Sequence, residues 1–351
     1  MKLLHLADLH LGSELSARLT PDKARLRRDE LCSSFDGAVE YAKSIGASAI
    51  LLSGDVFDGA LPPVRDKEFF YDVIRSAPEL TFFYLKGNHD EAEKTEELPN
   101  LKTFVSNEWT TYELGEGVTV SGIELTADNG ESYYDGLRLD GAKKNIVMLH
   151  GQISDSRGAE NIHLSSLAGK GIDYLALGHI HAYASGKLDA RGVYAYAGCL
   201  EPRGFDEIGD KGFIVVDTSA GVEHTFEKCS ARTVERKELN VSGMAGIAQV
   251  LQSASELSVD GKNLLRLVLV GEADFDTDGM ANLLQSRLKD RYFALSVKDE
   301  TEKALHLEKY MGQVCIEREF IRLVQANEAL TERQKKEVIS MGLKALKGEK
   351  L

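Results

Sequence analysis

The residues with the most specific chemistry in this 351-residue chain are two aspartates, four histidines and one asparagine, each falling just after a short apolar run. Asp8 and His10 follow the run 3–7, Gly54-Asp55 follows 49–52, and Gly87-Asn88-His89-Asp90 follows 81–85. His150-Gly151 follows 146–149, and Gly178-His179-Ile180-His181 follows 174–177. Carboxylate, imidazole and amide oxygen are donors that divalent cations such as Mn²⁺ accept. No cysteine joins the set, which argues against a structural zinc site. A pair of ions needs one carboxylate to bridge it. Asp55 is assigned that part, because Gly54 permits close backbone approach at the strand end.

Such a set works only if distant segments deliver it to one place. Each apolar run, including 213–216, is about strand length. Between the first two, Leu31, Phe35, Ala38, Val39 and Ala42 recur at helical spacing, and Gly46 offers a stop. Strands alternating with helices predict a layered α/β architecture over about the first 218 residues. In such sheets the loops leaving the carboxyl ends of strands form the ligand crevice, so five strand ends predict a single site. From 231 to 300 the pattern reads strand 233–241, helix 244–257, strand 264–270, helix 278–290, strand 292–297, enough for a small α/β domain. Beyond Gly312 two helices are expected. Ile316, Phe320, Leu323 and Asn327 share a face of the first, and Ile339, Leu343 and Leu346 a face of the second, which Thr331 and Gln334 could open as a capping box. The expected domains are therefore 1–225, 231–300 and 312–351.

Composition narrows the class. With 43% hydrophobic and 28% charged residues the chain is ordinary globular protein. Its four cysteines, Cys32, Cys199, Cys229 and Cys315, form no CxxC pair and read as buried thiols of a reduced compartment. The first apolar run is too short for a signal peptide, and no stretch approaches the roughly 20 apolar residues of a membrane helix, so a cytoplasmic protein without membrane attachment is expected. A net charge of −14 counts against a simple nucleic-acid binder, although bound cations and a local basic patch can offset it. Lys23, Arg25, Arg27 and Arg28, and Lys143-Lys144, suit a solvated face as well as phosphate contact, whereas Arg203 is better placed to touch a substrate phosphate. His5, inside the first run, reads as a packed and hydrogen-bonded core residue. His163, His224 and His306 lack partners at metal-site spacing and read as surface or structural.

In order, Asp8-x-His10, Gly54-Asp55-x-x-Asp58, Gly87-Asn88-His89-Asp90, His150 and Gly178-His179-x-His181 resemble the motifs of the calcineurin-like metallophosphoesterase superfamily. Within it, segment 54–58 with Pro62-Pro63, segment 174–181 and segment 198–207 (Gly198 to Glu207) resemble SbcD-type DNA repair exonuclease subunits in their shorter bacterial form. The motifs span about two-thirds of the chain; beyond them only the layout is similar.

The resemblance implies an α/β fold: a layered sheet sandwich flanked by helices, with a small α/β cap domain and a helical tail. It implies one metal held by Asp8, His10, Asp55 and His181 and another by Asp55, Asn88, His150 and His179. The ions would be divalent, Mn first, with Fe, Zn or Mg as alternatives, and a hydroxide bridging them would attack phosphorus in line. His89 would act as general acid or charge stabiliser, paired with Asp58, unless His89 is structural or Asp58 merely caps a helix near Gly59. DNA is the implied substrate and an SMC-like coiled-coil ATPase the implied partner, docking on the tail, with a homodimer a further expectation. Gly59 stands where phosphoprotein phosphatases of the superfamily carry arginine, which disfavours a protein phosphatase. Two other readings compete: a phosphodiesterase for cyclic nucleotides or other small phosphodiesters, and a metal-stabilised scaffold without enzyme activity.

Overall fold

The apolar runs become the central strands of two six-stranded sheets in a computed structural model that describes residues 1–15, 19–59, 61–90, 95–126, 133–156, 158, 160–305, 307–312, 314–346 and 348. The first sheet runs in the order Glu223–Lys228, Gly212–Asp217, Lys2–Leu6, Ala49–Ser53, Thr81–Leu85, Leu101–Thr103. Lys2–Leu6 pairs in parallel with Ala49–Ser53 and antiparallel with Gly212–Asp217. The second sheet runs Ala184–Lys187, Val193–Tyr196, Tyr174–Gly178, Lys144–His150, Val118–Gly122, Thr110–Gly115, parallel at its centre and antiparallel at both edges.

Period-two alternation explains why the central strands are apolar throughout: both of their faces are covered. Leu3, Leu51, Phe83, Met148, Ala176 and Ile214 meet in the layer between the sheets. Leu4, Ile50, Leu52, Phe82 and Tyr84 point the other way, onto the helices Pro21–Ser44 and Val64–Arg75, whose Leu31, Phe35, Val39, Phe70 and Ile74 complete a second core. Fully burying each such side chain contributes about 1.5–3 kcal/mol, which holds the layers at fixed spacing. The long helix starts where Thr20 accepts from Lys23 N, with Pro21 in its first turn, and stops before Gly46, at φ 65°.

The described chain divides into two compact units, one of 1–237, 259–266 and 288–296, the other of 238–258, 267–287 and 297–351. The strands Val234–Asn240, Leu264–Val270 and Ala294–Asp299 form a three-stranded sheet in that order, and the helices Ile247–Ser255 and Met280–Leu288 fall within the segments expected for them. Within the first unit, Val234, Leu264, Phe293 and Ala294 cluster with Leu19 and Phe205, and the Arg232 guanidinium lies 3.7 Å from the Phe293 ring centroid.

In the second unit the helices Ile316–Gln325 and Glu332–Leu346 pack through Ile321, Val324, Ile339 and Leu343. Here the expected face needs correcting. Ile316 is 68% and Leu323 59% exposed, while Phe320 and Ile321 turn inward. The stripe is shifted by about one position because Leu305, Leu307 and Tyr310 cover the side centred on Ile321 and Val324. Leu346 is also largely exposed, and Asn327 lies past the helix end. The capping box forms: Thr331 N donates to Gln334 Oε1 at 2.9 Å, and Gln334 N to Thr331 Oγ1 at 3.3 Å. Among the described residues no helix is long and apolar enough to cross a membrane. His306 lies outside them.

Candidate metal centre

The loops that leave the first two strands are knitted together before any side chain is considered. Asp8 N donates to Gly54 O at 3.0 Å, His10 N to Asp55 O at 2.9 Å, and Leu11 N to Val56 O at 2.8 Å. Their geometry is strained. Asp8 (φ 52°), His10 (48°), Asp55 (52°) and His179 (99°) all lie at positive φ, where a non-glycine residue costs on the order of 1–3 kcal/mol and persists only when its surroundings hold it. Two glycines make the crowding possible. A Cβ on Gly54 would stand 2.2 Å from His150 Nδ1, and one on Gly87 2.2 Å from Asp55 Oδ1. Asp90, fully buried, accepts from Val56 N (3.1 Å), Phe57 N (2.9 Å) and Gly87 N (3.1 Å), tying the Asp55 loop to the Asn88-His89 loop. Burial lifts its carboxyl to about 6, against the pull of those three donors.

The side chains then converge from five strand ends. Asp55 Oδ2 lies 3.4 Å from His150 Nε2 and 3.7 Å from His10 Nε2, while its Oδ1 accepts from His89 N at 3.0 Å. Both oxygens of Asp8 accept from His179 N, at 2.9 and 3.1 Å. Asn88 Oδ1 is 3.1 Å from His150 Nε2, and the His179 ring stands edge-on to that of His150 at 5.4 Å. His10 Nε2 and His181 Nε2 face each other at 3.1 Å. Ligand atoms of Asp8, His10 and His181 lie within 4.8 Å of one another, as do those of Asp8, Asp55 and His150.

This donor set fits divalent cations. The far nitrogen of each inner histidine is already engaged: His10 Nδ1 with Asp58 Oδ1 (3.1 Å), His181 Nδ1 with Glu207 Oε1 (2.7 Å), and His150 Nδ1 with Ser53 O (2.9 Å). The proton of each neutral ring is thereby placed on Nδ1, and a lone pair on Nε2 points inward. Two imidazole lone pairs 3.1 Å apart, beside Asp8, repel unless positive charge lies between them. At His150, beside Asp55 and Asp8, a proton can supply positive charge where no cation is bound. Burial alone would lower the His150 pKa, but the Asp55 and Asp8 carboxylates reverse this and raise it to about 9. Burial likewise tends to raise Asp55, yet its bond to His150 leaves it well below the usual carboxylate range. Asp8, where burial dominates, is lifted to about 6.

Around this centre the structure redistributes several expected partners. Asp58 makes its short contacts with His10 (3.1 Å) and Arg203 Nη1 (2.9 Å); His89 Nδ1 is 3.7 Å away and the His89 side chain 40% exposed. Among the described residues Asp58 caps no helix, since Pro63 occupies the cap of Val64–Arg75. Arg203, expected on a substrate phosphate, has its guanidinium on Asp58 and its backbone N–H on Glu207. Arg27, expected on a solvated face or a phosphate, is instead buried against Glu201 (2.8 Å) and Pro202 O, and Lys23, Arg28 and Lys144 reach backbone carbonyls. A helical stripe of basic residues does not say which of them points inward. His5 is buried with Nδ1 2.9 Å from Tyr174 Oη, and His163 reaches Ser156 O. Asp90 closes the motif 87–90 and Glu207 the segment 198–207, but the sequence assigns neither a part at the site. Only the fold shows that these two acids turn inward and which groups they hold.

A buried cluster of carboxylates and imidazoles at the carboxyl edge of a two-sheet sandwich defines a metal-dependent hydrolase class, and residues 1–183 match the calcineurin-like phosphoesterase family, to which this chain belongs. Among curated relatives, an uncharacterized metallophosphoesterase, YhaO of Bacillus subtilis (strain 168), is 27% identical over 310 residues, covering 78% of this chain and 72% of its own. The DNA double-strand break repair protein Mre11 of Sulfolobus acidocaldarius is 25% identical over 311 residues, covering 82% and 79%. A second Bacillus subtilis (strain 168) protein, one of the subunits of the nuclease SbcCD, is 25% identical over 278 residues, covering 65% and 69%.

Proposed function

We propose that the chain is a two-metal phosphodiesterase that cuts DNA. In this reading Asp8, His10, Asp55 and His181 hold one divalent ion, and Asp55, Asn88, His150 and His179 the other. The observation that carries it is the position of Asp55 Oδ2, within 3.7 Å of inward-facing nitrogens from both groups, where a bridging carboxylate belongs. Mn²⁺ suits these donors first, and Fe, Zn or Mg would also be accepted. When bound, the two ions would lower the pKa of a water and offset charge developing on the phosphate.

The chain's own residues supply the rest. His89 is exposed enough to meet a leaving oxygen and lies 3.7 Å from Asp58. The bond to His10 and the nearby Arg203 keep Asp58 anionic, and its Oδ1, 3.7 Å from His89 Nδ1, helps to orient the imidazole that would serve as general acid or charge stabiliser. DNA as substrate is supported by the relatives named for double-strand break repair and for nuclease activity. Residues 1–225 are then the catalytic domain and 231–300 a cap. The tail 312–351 is a docking element for an SMC-like coiled-coil ATPase, a partner suggested by the relative named as part of a nuclease of more than one chain.

Incubating the full chain with plasmid DNA and Mn²⁺, with EDTA as control, tests the substrate. Degradation that EDTA abolishes is expected, and intact DNA beside protein that holds both ions removes the DNA reading. The net charge of −14 favours a second reading, a small phosphodiester such as a cyclic nucleotide. Comparing turnover of bis-p-nitrophenyl phosphate, cyclic nucleotides and DNA separates the two.

A further inference from the structure

Just outside the candidate centre lies a charged cluster whose members are held by one another. Glu207 accepts from three directions: His181 Nδ1 at 2.7 Å on Oε1, and Arg203 N at 2.8 Å and Cys199 Sγ at 3.3 Å on Oε2. Arg203 continues from there, placing Nη1 2.9 Å from Asp58 Oδ1, and Asp58 meets His10 Nδ1 at 3.1 Å. Lys211 Nζ, itself buried, donates to His181 O at 2.6 Å. The two imidazoles whose Nε2 atoms oppose each other are thus each backed by a carboxylate, and one arginine links the carboxylates.

We infer that Glu207 is a positioning residue for the cation of the Asp8–His10–His181 group, acting through His181 and, by way of Arg203 and Asp58, through His10. The inference rests on the two-metal reading above. An imidazole binds a cation only through an unprotonated nitrogen, and the partner of its other nitrogen decides which one that is. Glu207 Oε1, 2.7 Å from His181 Nδ1, is placed to accept the hydrogen of that nitrogen, which leaves Nε2 open. Glu207 cannot be replaced in this by an amide. Glutamine offers one acceptor where the site needs two: if its oxygen faces His181, its NH₂ meets the Arg203 N–H, and if it faces Arg203, its NH₂ meets His181 Nδ1. A residue that only knitted the 199–207 loop would not need to reach His181.

The test is calorimetric titration of Mn²⁺ into chelator-stripped full-length protein, in the wild type, Glu207→Gln and Glu207→Ala, with folding checked by circular dichroism. Removing such a partner costs on the order of 10- to 100-fold in metal affinity. Two ions per chain are expected for the wild type, and in either folded variant one of the two should weaken by that factor while the other is unchanged. A lower melting temperature with both affinities intact would make Glu207 purely structural and overturn the inference, leaving the two-metal reading in place. Failure of the wild type to bind two ions would instead sink both.

Discussion

Asp55 and His89 sit at the ends of neighbouring strands, yet their roles are separable because one would hold ions and the other would meet substrate. Asp55→Ala should lose bound metal and activity together, since its Oδ2 lies between nitrogens of His10 and His150. His89→Ala should keep near wild-type metal content while turnover drops by about 10²–10⁴-fold, the usual contribution of a general acid. Metal analysis beside phosphodiesterase assay of each variant checks the pair, and the reverse pattern would refute the assignment. His150 sets a pH signature. Its pKa is raised from 6.5 to about 9, so in metal-free protein its stabilising contribution is complete below about 6.5 and disappears as pH climbs through about 9. A cation must displace that proton, so Mn²⁺ affinity should rise over the same window. Melting curves in EDTA and titrations at stepped pH read both; an EDTA-treated protein that gains stability from pH 6.5 to 9 would contradict the sign. The ligand types were readable from sequence because each stands in a short motif just after an apolar run. The partners Glu207 and Asp90 were not, because an acid's inward orientation is set by tertiary packing rather than by local pattern.

At the level of elements, strands fully buried on both faces were legible as unbroken apolar runs, and 49–52, 81–85 and 174–177 all became central strands. The loops after them carry the strain. Gly87→Ala would drive a Cβ to 2.2 Å from Asp55 Oδ1 and 2.6 Å from Asp55 N. Such overpacking costs about 1–3 kcal/mol, and the displaced carboxylate should release metal, as melting temperature and metal content together would show. The capping box opening Glu332–Leu346 was visible as Thr331 and Gln334, whereas the face of Ile316–Gln325 was not, since i and i+4 spacing fits two neighbouring stripes when a helix is only 10 residues long. Thr331→Ala should cost about 1 kcal/mol in the second unit, seen as faster hydrogen exchange in 332–346, with phosphodiesterase activity unchanged. Loss of activity there would connect the tail to catalysis and contradict its separate role.

For the whole molecule, the division into two units cuts across the strands 234–240, 264–270 and 294–299, an arrangement hidden from sequence because each strand is one continuous pattern. Every candidate ligand falls in the first unit, so the centre does not depend on the second for its donors. Its buried carboxylates and imidazoles form groups that could hold cations. That is best tested by anomalous scattering from crystals of the full-length protein grown with Mn²⁺. The structure leads us to expect two peaks about 3.5–4 Å apart with Asp55 between them. No peak at these residues, or a single ion remote from Asp55, would contradict the claim on which the proposed chemistry stands.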